Sequence, residues 1–233
     1  MRPTQQGQVA RLEPVPELVL FDLDNTLCDY AGARLARTRY AFEPHFAQID
    51  RLEIAIDAAM QHPTDGDEHF AEVLAAHGVT DPADVDAVRS RYIEDRYRGL
   101  KLFDDALRVV DAVSRVAKVG MITNGPADIQ RPKIELLCIE AHFPVIVISG
   151  EAGVWKPDPA IFRIALELLS VIPERAVYVG DSPEHDVPGA HAAGMRAVWI
   201  NRTRMPWPGG RAPDAEIHEL LELLPLVSAE RGL

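Results

Sequence analysis

The stretch LVLFDLDNTL, residues 18–27, decides the fold. Four large apolar residues are followed by two aspartates, Asp22 and Asp24, which are separated by one residue. Pro14 and Pro16 bound the apolar run upstream. A run of this kind predicts a strand that is buried on both faces, in a parallel sheet between helices. Because such sheets bind ligands beyond the carboxyl ends of their strands, both aspartates are expected in an active crevice.

The Asp-x-Asp pair is a candidate metal site. Two carboxylates this close repel each other unless a cation neutralises them, and oxygen ligands of high charge favour a hard ion such as Mg²⁺. The alternative is that Asp-x-Asp after a strand forms only a solvated turn or the approach to a helix cap. This motif alone does not decide between the two interpretations.

Composition narrows the function classes. The chain has 233 residues and a net charge of −12, which argues against binding nucleic acid or an anionic membrane through bulk electrostatics. Its two cysteines, Cys28 and Cys138, form no CxxC pair, so neither a disulfide framework nor a structural zinc site is indicated, and a reducing cytoplasm fits. No apolar run approaches the ~20 residues that span a bilayer.

The first hundred residues contain two segments that differ from the rest. Residues 1–17 hold three prolines and no apolar core, which predicts a flexible leader rather than a secretory signal. Residues 29–99 carry apolar side chains at three- and four-residue intervals, which predicts a helical insertion. The helices are expected over residues 34–46, 52–60, 70–77 and 83–97.

From residue 100 onward the pattern alternates between helix and strand. Strands are predicted over residues 116–122, 145–148, 176–179 and 197–200. Helices are predicted over residues 104–114, 129–137, 160–169 and 187–193, followed by an exposed loop over 201–213 and a short amphipathic helix over 217–224. Alternation of this kind implies right-handed crossovers and a parallel sheet. We therefore expect an α/β fold, a Rossmann-like parallel sheet flanked by helices, built from residues 18–28 and 100–233 and carrying an inserted α-helical domain.

Polar residues follow directly on three of the apolar runs. Asp22, Thr123 and Asp181 each stand where a predicted strand ends, so a parallel sheet would bring them to one edge. Lys156 lies in WKPDP, residues 155–159, where two prolines hold the backbone before a helix and aim the amine at the crevice. Taken alone, a lysine in such a turn is usually only solvated.

Taken together, these motifs resemble the haloacid dehalogenase-like hydrolase superfamily. The resemblance runs from about residue 18 to residue 200, and the helical segment matches the position of that superfamily's α-helical cap. The four matching stretches, in order, are DLDNTL at 22–27, ITNG at 122–125, KPDP at 156–159 and GDSPEHD at 180–186.

The resemblance implies a phosphoric monoester hydrolase that works through an aspartyl-phosphate. Asp22 would attack phosphorus as the nucleophile, and Asp24 would protonate the leaving oxygen and later activate water. The Thr123 hydroxyl and the nearby backbone N–H groups at Asn124 and Gly125 would hold phosphoryl oxygens. Lys156 would offset the negative charge of the phosphate and of Asp22.

The same resemblance implies a Mg²⁺ site. The ion would take oxygens from Asp22 and Asp181, from the backbone carbonyl of Asp24, and from the substrate phosphate and waters. Asp186 would support this shell, either through a bound water or through a hydrogen bond to Lys156. The metal set is therefore Asp22, Asp24, Asp181 and Asp186.

Other functions remain open on the same scaffold. Dehalogenases of the superfamily lack the second acidic residue, because a halide leaves without a proton, so Asp24 favours phosphoryl transfer. A phosphomutase would need cap residues that exclude water, and the cap shows no motif assignable to that task. A non-enzymatic regulatory protein of this fold is the third alternative. The expected substrate is a small phosphorylated metabolite, such as a sugar phosphate, phosphoglycolate or a nucleoside monophosphate.

Several further side chains have simpler explanations. Cys28 is expected to be a packed hydrophobe rather than a nucleophile, and His185 an exposed loop residue. Asp158 is expected to cap the following helix. The three arginines of the 201–213 loop, Arg202, Arg204 and Arg211, are either solvated or in contact with a partner.

Overall fold

The fold is built on a six-stranded parallel sheet in the order β3-β2-β1-β4-β5-β6. The computed structural model describes residues 11–62 and 66–228. The strands are β1 Leu18–Phe21, β2 Lys118–Thr123, β3 Ile146–Ile148, β4 Ala176–Gly180, β5 Arg196–Ile200 and β6 Ala215–Ile217. The predicted α/β class with a Rossmann-like parallel sheet is confirmed.

The first strand is central, as its sequence predicts. It lies between β2 and β4, and Val19 pairs with Val119 on one side and Val177 on the other. All four β1 residues are fully buried. A strand with neighbours on both edges and helices over the sheet has no solvent-facing side, which explains its continuous apolar run.

The α-helices of the described residues fall in two groups. Between β1 and β2 the chain forms α1 Tyr30–Phe42, α2 Ile49–Met60, α3 Phe70–Ala76, α4 Pro82–Glu94 and α5 Ala106–Ser114. After β2 it forms α6 Ala127–Leu136, α7 Ser149–Ala152, α8 Pro159–Leu169, α9 Asp186–Ala192 and α10 Leu224–Val227. No helix among residues 11–62 and 66–228 has the length and apolar character needed to cross a membrane.

The chain divides into two compact units. The first combines the residues up to Cys28 with those from Leu102 onward and contains the whole sheet. Its core includes Phe162 and Tyr178, which meet edge to face at a ring-centroid distance of 4.9 Å.

The second unit comprises Asp29–Lys101 and contains α1 to α4. Its core is aromatic: Phe70 lies edge to face with both Phe42 and Tyr92, at centroid distances of 4.9 and 4.7 Å. Large apolar and aromatic side chains at helical spacing thus give this unit a core of its own.

The predicted flexible leader is only partly within the described residues, since residues 1–10 lie outside them. In the remainder, Leu12 is buried and its N–H donates to the carbonyl of Leu226 at 3.1 Å. The end of the leader is therefore held against the first unit, because an apolar side chain there finds a place to be buried.

The prediction of a single helix over residues 217–224 was wrong. The segment begins with the end of β6, continues as a 3₁₀ helix over Leu220–Leu223, and only then enters α10. The sixth strand forms because the free edge of β5 offers backbone hydrogen-bonding partners. The N–H of Asn201, directly after β5, donates to Ile217 O at 2.7 Å. Three residues are too few to show a period in sequence.

Candidate active site

Three adjacent strands carry the predicted polar residues to one edge of the sheet. Asp22 follows β1, Thr123 ends β2, and Asp181 follows β4. Because β2 and β4 are the two neighbours of β1 and all three are parallel, their carboxyl ends lie side by side.

Lys156 stands at the centre of a buried network. Its ammonium Nζ donates to Asp22 Oδ1 at 2.7 Å, to Asp186 Oδ1 at 2.7 Å and to the Tyr178 hydroxyl at 2.9 Å. The hydroxyl in turn donates to the carbonyl of Ile122 at 2.9 Å. Burial alone would lower the pKa of Lys156, but the adjacent carboxylates of Asp186 and Asp22 raise it well above its usual value. The lysine is therefore a fixed positive charge.

The loop that carries Lys156 is held by the second motif. The side-chain amide of Asn124 donates to the carbonyl of Lys156 at 3.0 Å, and the backbone N–H of Lys156 donates to Asn124 Oδ1 at 2.9 Å. This pair of hydrogen bonds joins the end of β2 to the turn before α8. Asn124 thus positions the lysine.

Asp22, Asp181 and Asp186 form an acidic cluster that could hold a metal ion. One carboxylate oxygen from each lies within 4.8 Å of the others. Burial raises the pKa of Asp22 from 3.8 to about 7, against the opposing effect of Lys156, and burial followed by the charges of Asp22 and Asp186 raises the pKa of Asp181. Three carboxylates beside one ammonium leave negative charge in excess, so the cluster favours a cation.

Asp186 is fixed by its surroundings. Besides the hydrogen bond to Lys156, which is one of its two predicted roles, it accepts the backbone N–H of Ser182 at Oδ2, at 2.9 Å. Gly180 permits this approach, because a Cβ there would lie 2.3 Å from Asp186 Oδ2. The indole N–H of Trp199 donates to the carbonyl of Asp181 at 2.8 Å and fixes that turn as well.

The side chain of Asp24 lies apart from this cluster and contacts α6 instead. Lys133 Nζ is 2.7 Å from Asp24 Oδ2 and 2.9 Å from Oδ1, and Gln130 Nε2 is 3.1 Å from Oδ2. Among the described residues, the acidic cluster that could hold a metal ion does not include the Asp24 carboxylate. If Asp24 belongs to the metal set, it is through its backbone carbonyl.

The expectation that the Gly125 N–H binds a phosphoryl oxygen disagrees with the structure. That N–H donates to Ser149 Oγ at 2.8 Å, and the Ser149 hydroxyl donates back to the carbonyl of Gly125 at 3.3 Å. Ser149 begins α7 directly after β3, which pairs with β2, so its hydroxyl lies within reach of the loop that follows β2.

Sequence reasoning missed the buried partners of the site, namely Gln130, Lys133, Ser149 and Tyr178. A signal existed for Tyr178, because it is the single polar side chain in an otherwise apolar strand. Gln130 and Lys133 have helical spacing on α6 and no feature that distinguishes them from solvated residues. Only the fold shows that their side chains are buried.

The simpler explanations of three further residues fit the structure. Cys28 is fully buried and burial raises the pKa of its thiol, so it stays protonated. His185 is exposed, and Asp158 caps α8 by accepting the N–H of Ala160 at 2.9 Å.

Arg202, predicted to be solvated or in contact with a partner, is instead bonded within the first unit. Its guanidinium donates to the carbonyls of Asn25 and Thr26 at 3.2 and 2.9 Å, and lies over the Phe103 ring, 3.5 Å from the centroid. A delocalised cation can stack on a ring and donate to carbonyls at the same time. Arg202 therefore holds the turn that follows Asp24.

Carboxylate and hydroxyl groups stand at the carboxyl ends of the central strands, and the Lys156 ammonium lies beside them. This arrangement is that of an α/β protein whose binding crevice lies at the carboxyl ends of its parallel strands. The chain belongs to the haloacid dehalogenase-like hydrolase family, whose profile it matches over residues 16–194.

Proteins similar to this chain include two curated phosphatases. Phosphoserine phosphatase of Thermus thermophilus is 42% identical over 115 residues, which is 49% of this chain and 46% of that protein, so this match spans about half of its length. N-acylneuraminate-9-phosphatase of Mus musculus is 31% identical over 231 residues, covering 91% of this chain and 93% of that protein.

A solved structure also has this fold. A HAD-hydrolase of Bacillus subtilis has a TM-score of 0.73 at 21% identity, covering 91% of this chain and 98% of that one.

Proposed function

We propose that the chain is a Mg²⁺-dependent phosphatase that hydrolyses a small phosphorylated metabolite, a phosphomonoester, through an aspartyl-phosphate on Asp22. The observation that carries the proposal is the meeting of Asp22, Thr123 and Asp181 at neighbouring strand ends, with Lys156 bonded to Asp22. The curated names of two relatives, both phosphatases acting on small phosphorylated compounds, support it.

In the first half of the reaction, a carboxylate oxygen of Asp22 attacks phosphorus. The new P–O bond to Asp22 forms as the bond to the leaving oxygen breaks, and Asp24 gives that oxygen a proton. The Thr123 hydroxyl binds a phosphoryl oxygen. Lys156 offsets charge on both the phosphoryl group and Asp22, and it acts from a buried site where the interaction is strong.

In the second half, Asp24 takes a proton from water. The water oxygen attacks phosphorus, the bond to Asp22 breaks, and inorganic phosphate leaves. This dual use requires a carboxyl group that is near the reacting atoms and is not the nucleophile. The separate surroundings of Asp24, on α6 rather than in the acidic cluster, support that division of roles.

The donor set fits a hard divalent cation. Three carboxylates, two of them buried and one half-buried, beside one ammonium leave an excess of two negative charges when all are ionised, and oxygen ligands alone favour Mg²⁺ over softer metals. Asp22, Asp181 and the backbone carbonyl of Asp24 would hold the ion, with Asp186 supporting them. When bound, Mg²⁺ supplies charge neutralisation and orients the phosphoryl group.

The helical insertion, residues 29–99, is proposed to act as a cap that selects the leaving group. Residues 18–28 and 100–233 would then form the catalytic core. Both cysteines are free, which is consistent with a reducing cytoplasm.

The test is phosphate release from a panel of phosphomonoesters with Mg²⁺ and with EDTA. We expect metal-dependent release by the wild type and none by Asp22→Asn. Asp111→Asn is the matched control, since it makes the same change at an aspartate of α5, which pairs with His142. Mass spectrometry of acid-quenched wild type should find the phosphoryl group on the peptide that contains Asp22.

Two results would contradict the proposal. A wild type that releases no phosphate from any ester of the panel in a metal-dependent way is not this phosphatase. Activity that survives in Asp22→Asn rejects the nucleophile.

A further inference from the structure

We propose that Lys133 and Gln130 are positioning residues that orient the Asp24 carboxylate for its two proton transfers. Nothing in the four motifs assigns them a role. The inference rests on the proposed function, because it concerns the acid and base step of that reaction.

Lys133 is the stronger of the two contacts. Its side chain is 5% exposed, and its ammonium lies 2.7 and 2.9 Å from the two oxygens of Asp24, whose side chain is 21% exposed. Burying an ammonium is costly unless it is paired, so separating Lys133 from Asp24 is unfavourable and the two groups are held together. Contact with both oxygens fixes the plane of the Asp24 carboxylate as well as its direction.

Gln130 connects Asp24 to the second motif. Its side-chain Nε2 lies 3.1 Å from Asp24 Oδ2, 2.5 Å from Thr123 Oγ1 and 3.0 Å from the carbonyl of Asn124. The residue is 1% exposed. Since Thr123 is proposed to bind a phosphoryl oxygen, this amide sets the position of the acid relative to the phosphate site.

The helix explains why both residues reach the same carboxylate. Gln130 and Lys133 are three residues apart on α6, so their side chains lie on one face. Gly125 leaves room for Gln130, because a Cβ at that position would lie 2.8 Å from Gln130 Cγ. The glycine of the second motif thus serves the approach of Gln130, while its N–H is bound to Ser149.

The consequence for catalysis depends on the leaving group. A misoriented acid slows departure of a group that needs a proton, whereas a group that leaves as a stable anion is affected less. 4-Nitrophenyl phosphate and phenyl phosphate form a matched pair, since they have nearly the same shape and the unsubstituted phenolate is the poorer leaving group.

The experiment compares Lys133→Met with wild type on this pair. We expect kcat/KM for phenyl phosphate to fall about 10- to 100-fold and kcat/KM for 4-nitrophenyl phosphate to fall less than about 3-fold, because kcat/KM reports the steps up to phosphoryl transfer and not the hydrolysis of the phosphoenzyme that both esters share. Lys118→Met is the matched control. It removes a lysine at the start of β2, whose ammonium donates to Leu169 O, and it should leave kcat/KM for both esters unchanged. Gln130→Met should show the same preference and also raise KM, because it contacts Thr123.

A double-mutant cycle separates positioning from a general effect on folding. In an Asp24→Asn background, Lys133→Met should cause no further loss in the single-turnover rate of phenol release from phenyl phosphate, since the residue it orients is gone. Should Lys133→Met fail to fold, Lys133→Arg replaces it and should retain most of the phenyl phosphate activity. Melting temperatures of all variants are measured alongside.

Three outcomes overturn the inference while leaving the phosphatase intact: equal losses of kcat/KM on both esters, unchanged kcat/KM in Lys133→Met, or an added loss in the Asp24→Asn background. A wild type that releases phosphate from neither ester nor any member of the panel instead rejects the proposed function, and this inference with it.

Discussion

Two buried lysines contact the two aspartates of the first motif, and their surroundings differ. Lys156 joins Asp22 to Asp186 and Tyr178 in a network whose side chains are almost completely removed from solvent. Lys133 pairs with Asp24, whose side chain is 21% exposed, compared with 7% for Asp22. The same kind of ion pair therefore occurs once with both side chains almost fully buried and once with a partly exposed carboxylate.

The difference matches what the two carboxylates are proposed to do. A nucleophile gains from a fixed direction and from the exclusion of water, because each electrostatic contact is stronger there. An acid that must also act as a base exchanges protons with water, so partial exposure suits it. One aspartate is placed for attack and the other for exchange, although only one residue separates them.

The largest expected effect comes from Lys156→Met, which removes the buried ion pair between Lys156 and Asp22. Removing the ammonium leaves Asp22 and Asp186 buried without their shared partner, and we expect kcat to fall about 100- to 10,000-fold. The metal-free protein should lose about 3–5 kcal/mol of stability. Steady-state kinetics and urea denaturation in EDTA measure the two effects.

Lys133→Met is the natural comparison for that variant. It removes an ammonium of similar burial, yet its partner has access to solvent, so both losses should be smaller. Equal losses in the two variants would mean that the degree of burial does not separate the two pairs.

The next effect is a pH dependence of stability in metal-free protein. Burial raises the pKa of folded Asp22 to about 7, while the unfolded value is near 3.8. The folded state thus binds more protons between these values, and stability falls as the pH rises from about 4 to about 7, by about 4 kcal/mol for a shift of this size. Thermal melts in EDTA across this range measure it.

Asp22→Asn provides the control for this prediction. The fall should be shallower in the variant and should not vanish, because the pKa of Asp181 is raised as well. Mg²⁺ should stabilise the wild type more at pH 8 than at pH 5, since it binds ionised carboxylates. A wild-type curve measured in EDTA that rises with pH over this range would contradict the assigned charge imbalance.

Much of this site follows from sequence because strand ends are easy to locate. The apolar runs before Asp22, Thr123 and Asp181 predict the strands, and parallel order then brings their ends together. That topology brings Asp22 and Asp181 of the acidic cluster together, whereas the contact of Lys156 with Asp22 also depends on the loop that Asn124 holds in place. Local patterns and the rules of sheet connection were sufficient for this part.

The supporting residues could not be found in the same way. Lys133 and Arg202 are charged residues in a helix and in a Pro-rich loop, where a solvated side chain is the ordinary expectation. The positions of their side chains depend on contacts with Asp24 and with the 25–26 turn, which are more than a hundred residues away in sequence. The short strand β6 was missed for the related reason that it is specified by its partner β5 rather than by its own three residues.

Tyr178→Phe sharpens the comparison by removing one contact from the buried network around Lys156. The hydroxyl accepts from Lys156 and donates to Ile122 O, so its loss should cost about 1–3 kcal/mol of stability and lower kcat about 2- to 10-fold. Tyr92→Phe is the control, because its hydroxyl is bound to Arg37 in the second unit and its removal should affect stability alone. Equal kcat losses in the two variants would show that the network does not orient Lys156.

The smallest effect should come from Arg202→Met, which tests whether Asp24 depends on its backbone as well as on its side-chain partner. The guanidinium binds the carbonyls of residues 25 and 26, and Asn25 has a φ of 59°, a left-handed conformation that costs free energy in a non-glycine residue. Loss of these contacts should lower stability by about 1 kcal/mol and kcat less than about 10-fold. Arg211→Met, an exposed change in the same loop, should have no effect on either. A fall in kcat as large as that of Lys133→Met would mean that the turn, and not the ion pair with α6, determines where the Asp24 carboxylate lies.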